Sequence, residues 1–147
     1  MEKELRLFKE LFQPFANISI LHINKGVEFI NQTINEVVVS LDGKIDYIEF
    51  KDESSSKIKA TAREYEYIVL SDILSSCPNR DKILKLMYKA LENSANIIIL
   101  EKKANNNMDE IKQLLDKTSF VAINDIELFD EYNLITAKKL HMWGSGL

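Results

Sequence analysis

The chain has 147 residues, with 19 Lys or Arg against 23 Asp or Glu, so its net charge is −4 at pH 7. That length predicts one compact domain over residues 1–147. The apolar fraction of 46% and the charged fraction of 29% exclude wholesale disorder and a fibrous repeat. The negative charge argues against a nucleic-acid partner, which would need clustered cations. Four glycines are few for a phosphate-cradling loop.

Compartment is indicated by three features. The longest apolar runs, such as residues 97–100, are far too short to span a bilayer. The N-terminus carries charges among its apolar residues and has no signal-peptide core. Cys77 is the single cysteine, so an internal disulfide is excluded. We therefore expect a soluble cytoplasmic protein with no membrane partner.

An N-terminal helix is predicted over residues 5–15, where apolar residues recur at helical spacing. Pro14 favours its end before the first strand. Acidic and basic residues balance on its polar face, so we expect it to pack on a sheet. A helix lying on a membrane surface would need a more basic face.

Three short strands are predicted next, at residues 18–23, 36–41 and 44–50. One or two helical turns are expected at residues 27–34, with Phe29 and Ile30 buried. Asp42 and Gly43 separate the second strand from the third. An Asp-Gly pair between two β-like runs is typical of an antiparallel hairpin, because its turn requires positive φ. The polar residues 51–63 predict a surface loop within the domain.

The second half of the chain alternates strands and helices. Strands are predicted at residues 66–70 and 96–100, helices at 79–92 and 107–117, and a tight final strand pair at 120–129 and 132–140. Uniformly apolar strands indicate a parallel sheet covered on both faces. The predicted fold class is therefore α/β: a three-layer Rossmann-like sandwich with a mostly parallel sheet and an antiparallel C-terminal hairpin.

Part of this half resembles a known family. The segment EYEYIVLSDILSSCPNRDKILKLMYKALENSANIIILEKK is similar to the fourth strand, following helix and fifth strand of class I S-adenosylmethionine-dependent methyltransferases, in the methionine-biosynthesis-W-like branch. The closing FVAINDIELFDEYNLITAKKL resembles the last two strands of that family. The resemblance implies a methyltransferase-like fold and, in an active member, S-adenosylmethionine as the cofactor.

The same family has an acidic residue and a glycine-rich turn after its first strand, where glycines let the backbone approach the cofactor. This sequence reads LHINKGVE at that place. His22 replaces the acid, Gly26 keeps the central glycine, and Asn24 and Glu28 replace the flanking glycines. Asn24 tolerates positive φ, whereas Val27 and Glu28 add bulk and charge.

The resemblance also implies an acid at the end of the second strand, which holds the cofactor ribose. Asp42 stands there in the predicted strands, although an Asp-Gly hairpin explains it equally well. Asp72 ends the strand that carries the family's active-site motif. The predicted cofactor-binding residues are thus Asn24, Gly26, Asp42 and Asp72. Asp42-Gly43 leaves no room for the helix that the family places before its third strand, so we expect a shortened N-terminal half.

Two functions remain open. The first, which the degraded glycine loop favours, is a methyltransferase-like protein that has lost cofactor binding and acts as a binding or structural module. The second is an active S-adenosylmethionine-dependent methyltransferase on an unknown acceptor, for which the sequence identifies no catalytic residue.

Other chemistry-bearing residues have simpler interpretations. Asp42, Asp72 and Glu101 each follow a predicted strand and are expected to share one rim, as solvated or helix-capping acids rather than a cation site. Cys77 lies at a predicted helix start, which favours the thiolate, but no local motif places a base beside it. We therefore expect no thiol chemistry, a core or rim role for His22, and no metal.

The C-terminal residues 140–147 read LHMWGSGL. Met142 and Trp143 are costly to expose singly. We expect this end to cap the sheet edge or to contact a partner protein or a second copy, as in a homodimer.

Overall fold

The computed structural model describes residues 1–51 and 61–140. Its helices are α1 (Glu2–Lys9), α2 (Asn31–Ser40), α3 (Arg80–Ala90) and α4 (Met108–Lys117). Its strands are β1 (Ser19–Asn24), β2 (Lys44–Glu49), β3 (Tyr65–Ser71), β4 (Leu91–Lys102), β5 (Phe120–Ile126) and β6 (Tyr132–Lys139). Short 3-10 turns span Leu74–Ser76 and Lys103–Asn105. Most of the predicted 51–63 loop and of the 140–147 tail lies outside the described residues, so those predictions stay untested.

The described strands form one sheet in the order β2-β1-β3-β4-β6-β5. β1 runs parallel to β2 and to β3, and β3 runs parallel to β4. β6 is antiparallel to both β4 and β5. The α/β class, the mostly parallel sheet and the antiparallel C-terminal hairpin are therefore confirmed.

Each face of the sheet is covered, as the uniformly apolar strands predicted. On one face, Ile68 of β3 belongs to a buried cluster with Leu84 of α3 and Leu115 of α4. On the other face, the next residue along β3, Val69, belongs to a second cluster with Ile34 of α2. Successive residues of a strand point to opposite faces, so one strand contributes to both layers.

The strand predicted at residues 36–41 is wrong, because these residues lie in or directly after helix α2. The buried residues Ile30, Ile34, Val37 and Val38 recur at helical spacing and pack on the sheet. Valine disfavours a helix by only a few tenths of a kcal/mol relative to other residues, whereas burying its side chain gives about 1.5–3 kcal/mol. Tertiary packing therefore decides the conformation of this segment.

The predicted Asp42-Gly43 hairpin is also wrong. β1 and β2 are parallel, with Ser19 opposite Lys44, and parallel neighbours need a crossover connection, which α2 provides. The expectation that Asp42-Gly43 leaves no room for a helix before the third strand depended on that hairpin. It is wrong as well, because β2 is the second strand of the sheet rather than its third.

Helix α1 ends at Lys9, earlier than the predicted residue 15. The chain after it is held by Tyr67 of β3, whose hydroxyl accepts a hydrogen bond from the Gln13 N–H at 2.9 Å and donates to the Leu11 carbonyl at 3.1 Å. These bonds replace further helical turns and fix the segment against the sheet.

Candidate functional site

The carboxyl ends of the parallel strands meet at one edge of the sheet. Asn24 at the end of β1 lies opposite Glu49 of β2 and opposite Ser71 of β3, and Ser71 lies opposite Leu100 of β4. In open α/β sheets, ligands bind beyond this edge. We refer to it as the carboxyl edge.

Asn24 organises the loop between β1 and α2. Its Oδ1 accepts a hydrogen bond from the Val27 N–H at 2.9 Å, and its Nδ2 lies 2.6 Å from the Val27 carbonyl oxygen. The same Nδ2 lies 3.3 Å from Asn31 Oδ1 and 3.1 Å from the Tyr47 hydroxyl. The buried side chain thus uses its hydrogen-bonding capacity within the protein.

Lys25 and Gly26 form the exposed tip of this loop. The Lys25 N–H donates to the Ser71 carbonyl at 2.9 Å, and Lys25 Nζ lies 2.5 Å from Ser76 Oγ. The side chain of Lys25 therefore joins the β1–α2 loop to the 3-10 turn after β3. Gly26 has a φ of +76°, and a Cβ built there would meet no atom within 4 Å.

His22 stands where the resemblance places an acid. It is 1% exposed, its Nε2 lies 2.7 Å from Ser71 Oγ, and its ring meets the Tyr47 ring edge-on with centroids 5.4 Å apart. Burial lowers the pKa of His22 from 6.5 to about 4, because a charged imidazole would lose its hydration. The residue is therefore uncharged at neutral pH.

The structure separates Asp42 from the other predicted site residues. Asp42 precedes β2 and lies at the opposite end of that strand from the carboxyl edge. The premise that Asp42 ends a strand is wrong, because the segment before it is helical. Glu49, which sequence reasoning missed, is the acid at the carboxyl end of β2. The signal was the alternating strand KIDYIE, which ends in that acid and becomes the second strand once α2 is assigned as a helix.

Asp72 lies on the carboxyl edge, where its contacts support the loop after β4. It is 6% exposed and has a φ of +58°. Its Oδ1 accepts from the Lys102 N–H and from Asn105 Nδ2, both at 3.3 Å. Lys102 Nζ lies 3.4 Å from its other carboxylate oxygen. The carboxylate is thus engaged by neighbouring protein groups.

Glu101 lies next to Asp72, so two of the three predicted rim acids come together. The Glu101 carboxylate accepts from the Leu74 N–H at 3.2 Å and from Asn107 Nδ2 at 2.9 Å. Burial raises the pKa of Glu101, and the neighbouring charge of Asp72 raises it further. Within the described ranges, no group of three or more His, Cys, Asp or Glu could hold a metal ion.

Cys77 is buried, and burial raises the pKa of its thiol, as does the charge of Glu101. Helix α3 begins at Arg80 with Asn79 as its N-cap, so Cys77 does precede a helix start, but the raised pKa opposes the effect expected from that position. The environment therefore favours the thiol rather than the thiolate.

Every helix in residues 1–51 and 61–140 is too short or too polar to span a bilayer. No family model matches the chain, and no curated protein matches it in sequence.

Solved structures do match it. Phosphoethanolamine N-methyltransferase 2 of Haemonchus contortus, in complex with phosphomonomethylethanolamine and S-adenosylhomocysteine, superposes with a TM-score of 0.71 at 11% identity over 95% of this chain and 53% of its own. A SAM-dependent methyltransferase from Aquifex aeolicus superposes with a TM-score of 0.64 at 11% identity, over 92% of this chain and 89% of its own. The T. thermophilus 16S rRNA N2 G1207 methyltransferase RsmC, in complex with AdoMet and guanosine, superposes with a TM-score of 0.65 at 13% identity, over 94% of this chain and 39% of its own.

The chain has the class I methyltransferase-like fold. The predicted resemblance is therefore confirmed at the level of the fold, which is what a likeness at 11–13% identity establishes. The chain spans about half the length of the first methyltransferase structures that it matches. In an α/β sheet of this kind, ligands bind beyond the carboxyl edge, where this chain has the β1–α2 loop and Glu49.

Proposed function

We propose that this chain is a methyltransferase-like module that does not use S-adenosylmethionine and acts by binding a partner or as a structural unit. The observation that carries the proposal is the side chain of Asn24. Asn24 is the last residue of β1, at a position where the resemblance implies a glycine, and its hydrogen bonds to Val27 close the following loop on itself. A glycine there would leave the loop backbone open to a ligand.

Two further contacts support this proposal. Lys25 Nζ reaches Ser76 across the carboxyl edge, between two loops that follow adjacent parallel strands. His22 gives an uncharged, buried group at the place of the implied acid. His22 thus replaces the acid that the resemblance assigns to cofactor binding, and the Lys25 contact spans the edge beside it.

An active S-adenosylmethionine-dependent methyltransferase is the second candidate, and two observations favour it. The space around Gly26 is open, and Glu49 offers a carboxylate at the end of β2, in register with Asn24. A carboxylate at that place is suited to a pair of ribose hydroxyls.

Titration calorimetry separates these candidates. We expect no heat of binding from S-adenosylmethionine or S-adenosylhomocysteine at about 1 mM, the weak limit of specific small-molecule affinity. Binding with a micromolar Kd that is lost in Glu49→Ala would overturn the proposal in favour of the enzyme. Asp42→Ala is the matched control, because Asp42 lies at the opposite end of β2.

A gain-of-function variant sharpens the same test. If the Asn24 side chain closes the loop, Asn24→Gly combined with His22→Asp should raise affinity for S-adenosylhomocysteine above that of the wild type. A properly folded double variant, checked by circular dichroism, that still gave no heat would count against Asn24 as the closing group.

A further inference from the structure

A cleft lies behind the β1–α2 loop, between α2 and β2. Its lining residues are His22, Asn31, Gln32, Asn35, Ile45 and Tyr47. All six are uncharged at neutral pH, in a chain of which 29% of residues are charged. Such a lining suits an uncharged ligand, because a phosphate or carboxylate would be desolvated there without a countercharge.

The floor of the cleft contains a histidine with spare hydrogen-bonding capacity. Nε2 of His22 is used by Ser71, and among the described residues Nδ1 has no hydrogen-bond partner. A neutral imidazole has one donor and one acceptor nitrogen, set by the tautomer. His22 can therefore supply either role to a polar ligand.

Helix α2 supplies amides along one wall. Asn31 and Asn35 are four residues apart and so lie on the same side of the helix. Asn31 Oδ1 is engaged by Asn24, whereas the amides of Gln32 and Asn35 have no partner among the described residues. Each free amide offers a donor and an acceptor side by side, which is the pattern that matches the edge of a nucleobase.

Tyr47 supplies an aromatic surface on the opposite wall. It is 49% exposed, yet its position is fixed, because its ring contacts His22 edge-on and its hydroxyl accepts from Asn24. A held, exposed aromatic ring is a surface on which a planar base can stack, with about 1–3 kcal/mol per base. Ile45 adds an apolar contact beside it.

We propose that this cleft binds an uncharged nucleobase or nucleoside, stacked on Tyr47 and hydrogen-bonded by the amides of Asn35 and Gln32. The inference goes beyond the proposed function and does not depend on it. His22 enters both arguments, but the residues that would hold the ligand, Tyr47, Asn35 and Gln32, are distinct from Gly26 and Glu49 at the carboxyl edge. The absence of a cation from the lining selects a nucleoside over its phosphorylated form.

The test is a titration of the full chain with adenosine, guanosine, cytidine and uridine, followed by ¹H–¹⁵N NMR. We expect at least one nucleoside to bind with a Kd below about 1 mM, with shifts at residues 31–35 and 45–47. Tyr47→Ala and Asn35→Ala should each weaken binding about tenfold, as loss of one stack or one base contact would. Gln113→Ala, an exposed amide on α4, is the matched control.

Three outcomes would overturn the inference. The first is that no nucleoside causes a chemical-shift change at about 5 mM, a concentration well above the expected Kd. Shifts confined to Gly26 and Glu49 would place the ligand at the carboxyl edge instead, and would also oppose the proposed function. Binding of methyl glucoside with no binding of nucleosides would assign the cleft to sugars. Tyr47→Phe, which retains the ring, distinguishes lost stacking from a folding defect.

Discussion

His22 Nε2 and Ser71 Oγ lie 2.7 Å apart on adjacent parallel strands, and both residues are at most 1% exposed. The hydrogen bond satisfies one ring nitrogen, and burial disfavours the charged imidazole. The pair therefore joins two strands just below the carboxyl edge without placing a charge there.

The first prediction concerns pH. The pKa of His22 is about 4 in the folded chain against 6.5 for an unperturbed histidine. Between these values the unfolded state binds more protons than the folded state, so stability must fall as pH falls. We expect the free energy of unfolding to decrease by up to about 3 kcal/mol from pH 6.5 to pH 4 on this account. Urea unfolding at stepwise pH measures it.

His22→Gln is the control, because it keeps a hydrogen-bonding group and removes the titration. The difference between the wild-type and variant pH profiles isolates His22 from other groups. Glu101 acts in the opposite direction. Its pKa is raised in the folded state, so stability falls as the pH rises above the ordinary pKa of a glutamate. A difference profile that is flat from pH 6.5 to pH 4 would contradict the prediction.

The second prediction concerns Glu101, which is 1% exposed. Glu101→Ala removes the acceptor of the Leu74 N–H and of the Asn107 amide. Buried donors without an acceptor are costly, so we expect a loss of about 2 kcal/mol in thermal or urea unfolding. Glu92→Ala on the same strand is exposed and should change stability by less than about 0.5 kcal/mol. Equal losses in both variants would contradict this.

The third prediction concerns Lys139, a lysine that is only 7% exposed. Its Nζ donates to the Leu91 carbonyl at 2.9 Å and lies 5.1 Å from the Tyr88 ring centroid. Lys139→Ala leaves that carbonyl without its donor, and we expect a loss of about 1–3 kcal/mol in the free energy of unfolding. Its neighbour Lys138 faces the other side of β6. Lys138→Ala is therefore the control, and a larger loss there would contradict the prediction.

The second half of the fold was predictable because its signals agree. Residues 67–70 of strand β3 are apolar and buried, and helix α3 shows Ile83, Leu84 and Met87 at helical spacing, all of them buried. In α2, by contrast, local preference and packing disagree. Val37 and Val38 look like strand residues, and only their place between parallel β1 and β2 makes them helical.

The candidate site was predictable only in part. Gly26 was correctly placed in a loop after the first strand and Asp72 directly after β3, whereas Asn24, predicted in that loop, is the last residue of β1. Glu49 was missed because the strand predicted at 44–50 was counted as the third, and only the assignment of α2 as a helix makes it the second strand. Contacts between distant segments, such as Asn24 with Tyr47, depend on the strand register, which periodicity within one segment does not specify.

The fourth prediction concerns the two glycines of the N-terminal half. A Cβ on Gly43 would collide with the carbonyl oxygen of Ile18, and that same oxygen accepts the Lys44 N–H at 2.8 Å. A backbone group held in this way cannot move aside easily, so Gly43→Ala should cost about 3 kcal/mol in the free energy of unfolding. At Gly26 the space is open and the constraint is its φ of +76°, so Gly26→Ala should cost about 1 kcal/mol.

Asparagine variants distinguish the two causes. Asn tolerates the left-handed region better than Ala does, so Gly26→Asn should be more stable than Gly26→Ala in urea unfolding. At Gly43 the constraint is close approach, and Gly43→Asn should be at least as destabilised as Gly43→Ala. If Asn were tolerated better than Ala at position 43, the requirement there would be positive φ, as in a hairpin turn, and the packing of Gly43 on Ile18 would not be the reason for glycine.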